Sequence, residues 1–157
     1  MRVSARKHAA MTMTARRILG LDYGDKTIGV AVSDDLLLTA QAVEVIRRPD
    51  EKSIKKSMAR LSELIRAYDV HTIVLGYPKN MDNTEGFRCE KTLAFKSRLE
   101  RYFKKIPVAL WDERLSTALA DRALASLSRK AREDAIDKTA AAVILQAYLD
   151  ARAARSG

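Results

Sequence analysis

The chain has 157 residues, 47% of them hydrophobic, with 29 Lys and Arg against 20 Asp and Glu for a formal net charge of +9. That length suits one domain with a single core, and the apolar fraction excludes a disordered polymer. The positive excess favours a polyanionic partner, nucleic acid foremost.

No apolar run reaches the length of a membrane-spanning helix. Cys89 stands alone, so an internal disulfide is excluded and a reducing cytosol is the simplest home. His8 and His71 are the only histidines, so with one Cys a zinc site is disfavoured and oxygen atoms are the expected donors for any metal.

Residues 1–16 carry Arg2, Arg6, Lys7 and Arg16 without an acid or an apolar period. They read as a disordered basic tail, or as a mis-assigned start given Met11 and Met13; a mitochondrial presequence is the alternative. A single domain is expected over 17–152, followed by a tail at 153–157. Ile18–Tyr23 and Ile28–Ser33 are short strands joined by Gly24-Asp25-Lys26-Thr27, a tight turn in which Gly24 is expected to take a positive φ. A third strand, Thr39–Ile46, alternates apolar and polar.

Pro49 and Asp50 open a helix striped by Ile54, Met58, Leu61, Ile65 and Tyr68. Thr72–Gly76 is an apolar strand ended by Pro78, and the loop Lys79–Gly86 is polar. Phe95, Leu99, Tyr102 and Ile106 mark a second helix, and Pro107 starts the next strand. Ser116 or Thr117 caps a third helix through Leu119, Ala123, Leu124 and Leu127. A polar break at Arg129–Glu133 precedes a last helix, Ile136 to Leu149. Three early strands so close together form a meander, and the helix-linked strands suit parallel crossovers. The expected architecture is α/β: a mixed five-stranded sheet, an antiparallel three-strand meander plus two parallel strands, with helices on both faces.

Three acids are candidates for chemistry. Asp22 ends the first strand, where open α/β sheets place their sites. Glu113 follows the Pro107–Trp111 strand in Asp112-Glu113-Arg114. Asp137 shares a helical line with Ala141, Ile144 and Tyr148, so its carboxylate points inward. Each acid also has a local explanation: a turn cap, an ion pair beside Arg114, and a first-turn acid favoured by the helix dipole. Carboxylates are costly to bury unless a cation compensates them. If the first and fourth strands are neighbours and the fifth lies beside them, the three acids converge. Oxygen ligands with room for phosphate and water suit Mg²⁺ or Mn²⁺, and two such ions would hydrolyse a phosphodiester. Lys26 and Arg114 could add charge at the phosphate. Residues 47–66 and 88–105 each carry seven Lys or Arg against three and two acids, and together they favour guidance of a phosphate backbone.

With these residues in view, the chain resembles the YqgF (RuvX) family of Holliday-junction resolvase-like nucleases, of the ribonuclease H-like superfamily. The resemblance rests on residues 19–34, 74–86, 112–117 and 135–150, four motifs in order and in register. It implies a ribonuclease H-like fold, a cytoplasmic location and a role in maturing the 5′ end of the small-subunit (16S) ribosomal RNA precursor. It places the family's metal ligands on Asp22, Glu113 and Asp137, with Asp112 as a substitute for Glu113. Lys79, Asn80, Met81 and Asp82 match a loop assigned to substrate contact. Two departures stand out: Asn83 replaces a frequent Gly, and Glu133-Asp134-Ala135 replaces the usual Lys-Gly before Asp137.

Structured RNA is thus the expected partner, and branched DNA the second. A non-catalytic RNA-binding assembly factor is the competing class. An ATP-handling domain is disfavoured by length. No exposed apolar stripe demands a dimer, so monomer and homodimer both remain open.

Overall fold

In the computed structural model, which describes residues 16–50, 53–78, 86–113 and 129–156, alternation along the first strand fixes the two faces of a sheet. β1 (Arg17–Tyr23) sends Leu19, Leu21 and Tyr23 to one side and Ile18 to the other. β2 (Thr27–Ser33) and β3 (Ala40–Arg47) follow as an antiparallel meander. α1 (Ile54–Ala67) then carries the chain over to β4 (Val70–Tyr77), which pairs parallel with β1. α2 (Phe87–Tyr102) does the same for β5 (Val108–Asp112), parallel to β4. Parallel neighbours need such a crossover because a hairpin cannot join them. The strand order is β3-β2-β1-β4-β5, the mixed sheet that the pattern predicts.

Two cores cover the two faces. On one, Met58, Leu61, Leu64 and Ile65 of α1 and Phe95 and Leu99 of α2 pack on Leu19, Leu21, Val30, Ile73 and Leu75. On the other, α3 (Arg129–Ser156) lays Ala141, Ile144, Leu145 and Leu149 against Ile18, Ala31 and Val74. Gln146 ties α3 to the sheet edge, its Oε1 accepting from the Ala40 N–H at 2.9 Å and its Nε2 donating to the Leu38 carbonyl at 2.9 Å. Among the described residues, no helix is long and apolar enough to cross a membrane.

The structure corrects three local expectations. Gly24 does not use positive φ; only Leu37 and Asp69 do so among the described residues. The Gly24 N–H instead donates to the Thr27 carbonyl at 2.8 Å, and a Cβ on Gly24 would lie 3.2 Å from that oxygen. Closeness selects glycine there. Secondly, Arg129–Glu133 is helix, so α3 begins seven residues before Ile136 and runs on through Ser156. Arg, Lys, Ala and Glu are strong helix formers, so a charged run of them continues a helix rather than breaking it. Thirdly, the second helix runs from Phe87 to Tyr102, so Ile106 of its expected stripe lies beyond its end. Residues 1–15, the loop at 79–85 and the helix expected after Ser116 lie outside the described residues.

α3 sits close to β1 because Gly20 has no side chain. A Cβ there would lie 2.8 Å from the Leu145 Cβ and 3.2 Å from the Ala141 carbonyl oxygen. Neither atom is the free end of a flexible chain, so the helix itself would have to move. Gly20→Ala should destabilise the fold by about 1–3 kcal/mol through overpacking, seen as a lower urea midpoint with unchanged slope. A midpoint equal to that of the parent would show that α3 can shift freely.

Candidate active site

Register decides which acids meet. Leu21 pairs with Leu75 across β1 and β4, so Asp22 stands level with Gly76. Gly76 in turn pairs with Trp111, and Tyr77 with Asp112, across β4 and β5. Trp111 faces α3, where its ring meets Tyr148 edge-on at 6.1 Å. Two residues further on, Glu113 falls on that same face. Asp112, between them, points to the other side.

β1 and β5 are not adjacent, so the two carboxylates must reach each other across β4. Gly76 makes this possible. A Cβ on Gly76 would lie 2.9 Å from Glu113 Oε1, 3.1 Å from its Cγ and 2.7 Å from Ile144 Cδ1. The Glu113 side chain therefore lies directly over the glycine, roofed by Ile144 of α3, and it hydrogen-bonds Asp22. Two carboxylates hydrogen-bond only when one holds a proton. Burial, the Asp22 hydrogen bond and the Asp22 charge push the Glu113 carboxyl up to about 8, with a smaller push from Asp112, while the Arg88 guanidinium on α2 pulls the other way.

Near neutral pH the pair thus retains a proton that a hard cation could replace. The donors are oxygens, which fits Mg²⁺ or Mn²⁺ and not zinc. Among the described residues no cluster of three or more metal-ligating side chains occurs. Asp137 lies in α3 one turn before Ala141, with its side chain outside the described residues. Lys26 is exposed in the β1–β2 turn. Lys79, Asn80 and Arg114 lie outside the described residues.

Sequence reasoning missed two members of the site. Gly76 reads in the sequence only as a strand end, although a glycine on the strand between two acid-bearing ones is the signal of a crossing side chain. Arg88 was counted in a basic helix, and nothing local marks it as the cation that acts on Glu113.

Residues 16–151 match the RuvX family, described as a Holliday junction resolvase. A protein of Symbiobacterium thermophilum named "Putative pre-16S rRNA nuclease" is 57% identical over 141 residues, covering 88% of this chain and 95% of its own length. A protein of the same name from Agathobacter rectalis is 53% identical over 136 residues, covering 85% and 94%. Among solved structures, Thermus thermophilus RuvC in complex with a Holliday junction substrate superposes with a TM-score of 0.54 at 17% identity. That match covers 87% of this chain and 95% of RuvC, and it establishes the ribonuclease H-like fold.

The proton on Glu113 makes stability depend on pH. In the unfolded chain this carboxyl ionises near 4.5, in the fold near 8. Between those values the folded state binds the extra proton, so its contribution is complete below about 4.5 and is lost as pH rises through 8. In chelator, raising pH from 5 to 8 should therefore cost the protein a few kcal/mol of unfolding free energy. Glu113→Gln, which keeps the shape without the charge, should flatten that decline in urea titrations. Parallel curves for parent and variant would show that Glu113 ionises normally.

Proposed function

The chain belongs to the RuvX family, and on that premise we propose that it is a divalent-cation-dependent nuclease that matures the 5′ end of the precursor of 16S ribosomal RNA in the cytoplasm. The observation that carries the reading is the half-buried Asp22–Glu113 pair over Gly76. Such a pair of acids is unfavourable as structure alone, and two carboxylates side by side are useful where a cation must be held. The names of the curated relatives, at 53–57% identity, support the precursor of 16S ribosomal RNA as the substrate.

Asp22 and Glu113 would hold the cation, with Asp137 as the third ligand and two ions as the full complement. When bound, such an ion neutralises phosphate charge and makes water a better nucleophile. The protein's own part is positional. β1 and β5 deliver the two carboxylates, Gly76 lets them touch, and Ile144 excludes water from one side, which strengthens every charge in the site. Arg88 lowers the cost of ionising Glu113. Lys26, in its exposed turn, together with Lys79, Asn80 and Arg114, would bind the phosphate backbone as positioning groups.

An RNA spanning the 5′ end of the 16S precursor should be cleaved with Mg²⁺ or Mn²⁺ and left intact in chelator. Asp22→Asn or Glu113→Gln should lower kcat/KM by at least about 100-fold, the scale on which loss of one charge-stabilising group acts, with circular dichroism unchanged. A four-way DNA junction cleaved in preference to this RNA would move the substrate to DNA. Folded protein that cuts neither, or Asp22→Asn cutting at the parent rate, would contradict the proposal.

A further inference from the structure

On the sheet face away from Glu113, a pocket of about 210 Å³ opens between the end of β1, the β1–β2 turn and α2. Its charge is unbalanced. Arg48, Lys91 and Arg98 line it against a single acid, Asp25, which pairs with Lys91 Nζ at 3.2 Å. Arg48 is the unusual member, being only 4% exposed. One of its terminal nitrogens donates to the carbonyls of Gly24 at 2.9 Å and Asp25 at 2.8 Å. Its Nε is buried without a hydrogen-bond partner. Its guanidinium lies 4.8 Å over the Tyr23 ring, which stacks on Phe95 at 4.1 Å. Those contacts place the guanidinium rigidly without a carboxylate among the described residues to neutralise it. A buried cation held by carbonyls alone leaves a positive field in the adjoining cavity.

The helix extends that field toward the carboxylates. Arg88, Lys91 and Arg98 fall at spacings of three and seven residues, on one line of α2. Arg88 acts on Glu113 at one end of this line, and Arg98 enters the pocket at the other. Ten residues of helix separate them by about 15 Å.

We infer that this pocket is a phosphate subsite, distinct from the carboxylate centre, that grips the nucleic-acid strand at a phosphate other than the one at the bond to be cut. The inference rests on the nucleic-acid reading above, but it needs only binding and not cleavage. A purely structural role for Arg48, pinning the turn, accounts for its two carbonyl contacts. It does not account for a cavity of this size with two further cations on its wall.

The test is fluorescence anisotropy with a labelled single-stranded RNA in the absence of divalent metal, read as the slope of log Kobs against log salt. Arg98→Gln should reduce the magnitude of that slope by about 0.7, the loss of one phosphate contact on a single strand. Ala94→Leu fills the pocket from its wall without removing a charge, and it should give the same reduction. Arg17→Gln serves as control; Arg17 is on β1, outside both basic segments and the pocket, and pairs with Asp35 at 2.8 Å, and its loss should leave the slope alone.

If both pocket variants keep the parent slope but lose adenosine 5′-monophosphate binding that the parent shows by calorimetry, the subsite stands and its phosphate comes from a free nucleotide. A reduced slope in Arg98→Gln but not in Ala94→Leu would mean charge on an open surface and would overturn the pocket. Unchanged slopes with no nucleotide binding would overturn it as well. Because cleavage is not measured, a protein that binds RNA here yet cuts nothing would sink the nuclease proposal and leave this one intact.

Discussion

Two carboxylates that belong to non-adjacent strands touch over a glycine, and the rest of the structure is arranged to make that contact possible. β4 separates β1 from β5, so any residue larger than glycine at position 76 would stand between Asp22 and Glu113. α3 packs low enough for Ile144 to close the site only because Gly20 leaves room beneath Leu145 and Ala141. The two glycines act through size. Neither sits in the left-handed region, so conformational freedom is not their purpose.

The contact is unfavourable by itself. Burial and the neighbouring Asp22 push Glu113 toward its neutral form, and among the described residues the charge of Arg88 opposes that push only in part. This is the opposite of a stabilising ion pair. It stores a demand for positive charge that a cation can meet, at the carboxyl ends of parallel strands where α/β folds place their chemistry. The basic stripe on α2 extends the same logic outward, from a compensating Arg88 beside the acids to the cation-lined pocket behind the β1–β2 turn.

Much of this was legible in the sequence because short-range patterns govern it. Alternating apolar residues in 18–46, the stripe from Ile54 to Ile65, and the Pro107 boundary pointed to the meander and the parallel crossovers, whereas the strand order comes from the structure. Asp22 and Glu113 stand out in the sequence for the same reason, each at the end of an apolar run. What the sequence left open was which of Asp112 and Glu113 turns toward Asp22, since one residue of register reverses the face. The pairing of Gly76 with Trp111 resolves it. Gly24 misled because a glycine in a hairpin usually signals positive φ, whereas here a nearby carbonyl would crowd a side chain. Arg129–Glu133 misled because a charged run resembles a break when its helix-forming tendency is ignored. The pocket was invisible, being built from Tyr23, Arg48 and Arg98, whose proximity depends on the whole sheet.

The most direct measurement is a crystal soaked in Mn²⁺ and examined by anomalous scattering. The account predicts a strong peak between the carboxylates of Asp22 and Glu113, with both side chains still meeting over Gly76. Carboxylates turned apart toward separate lysines or arginines, with manganese bound elsewhere or nowhere, would contradict it.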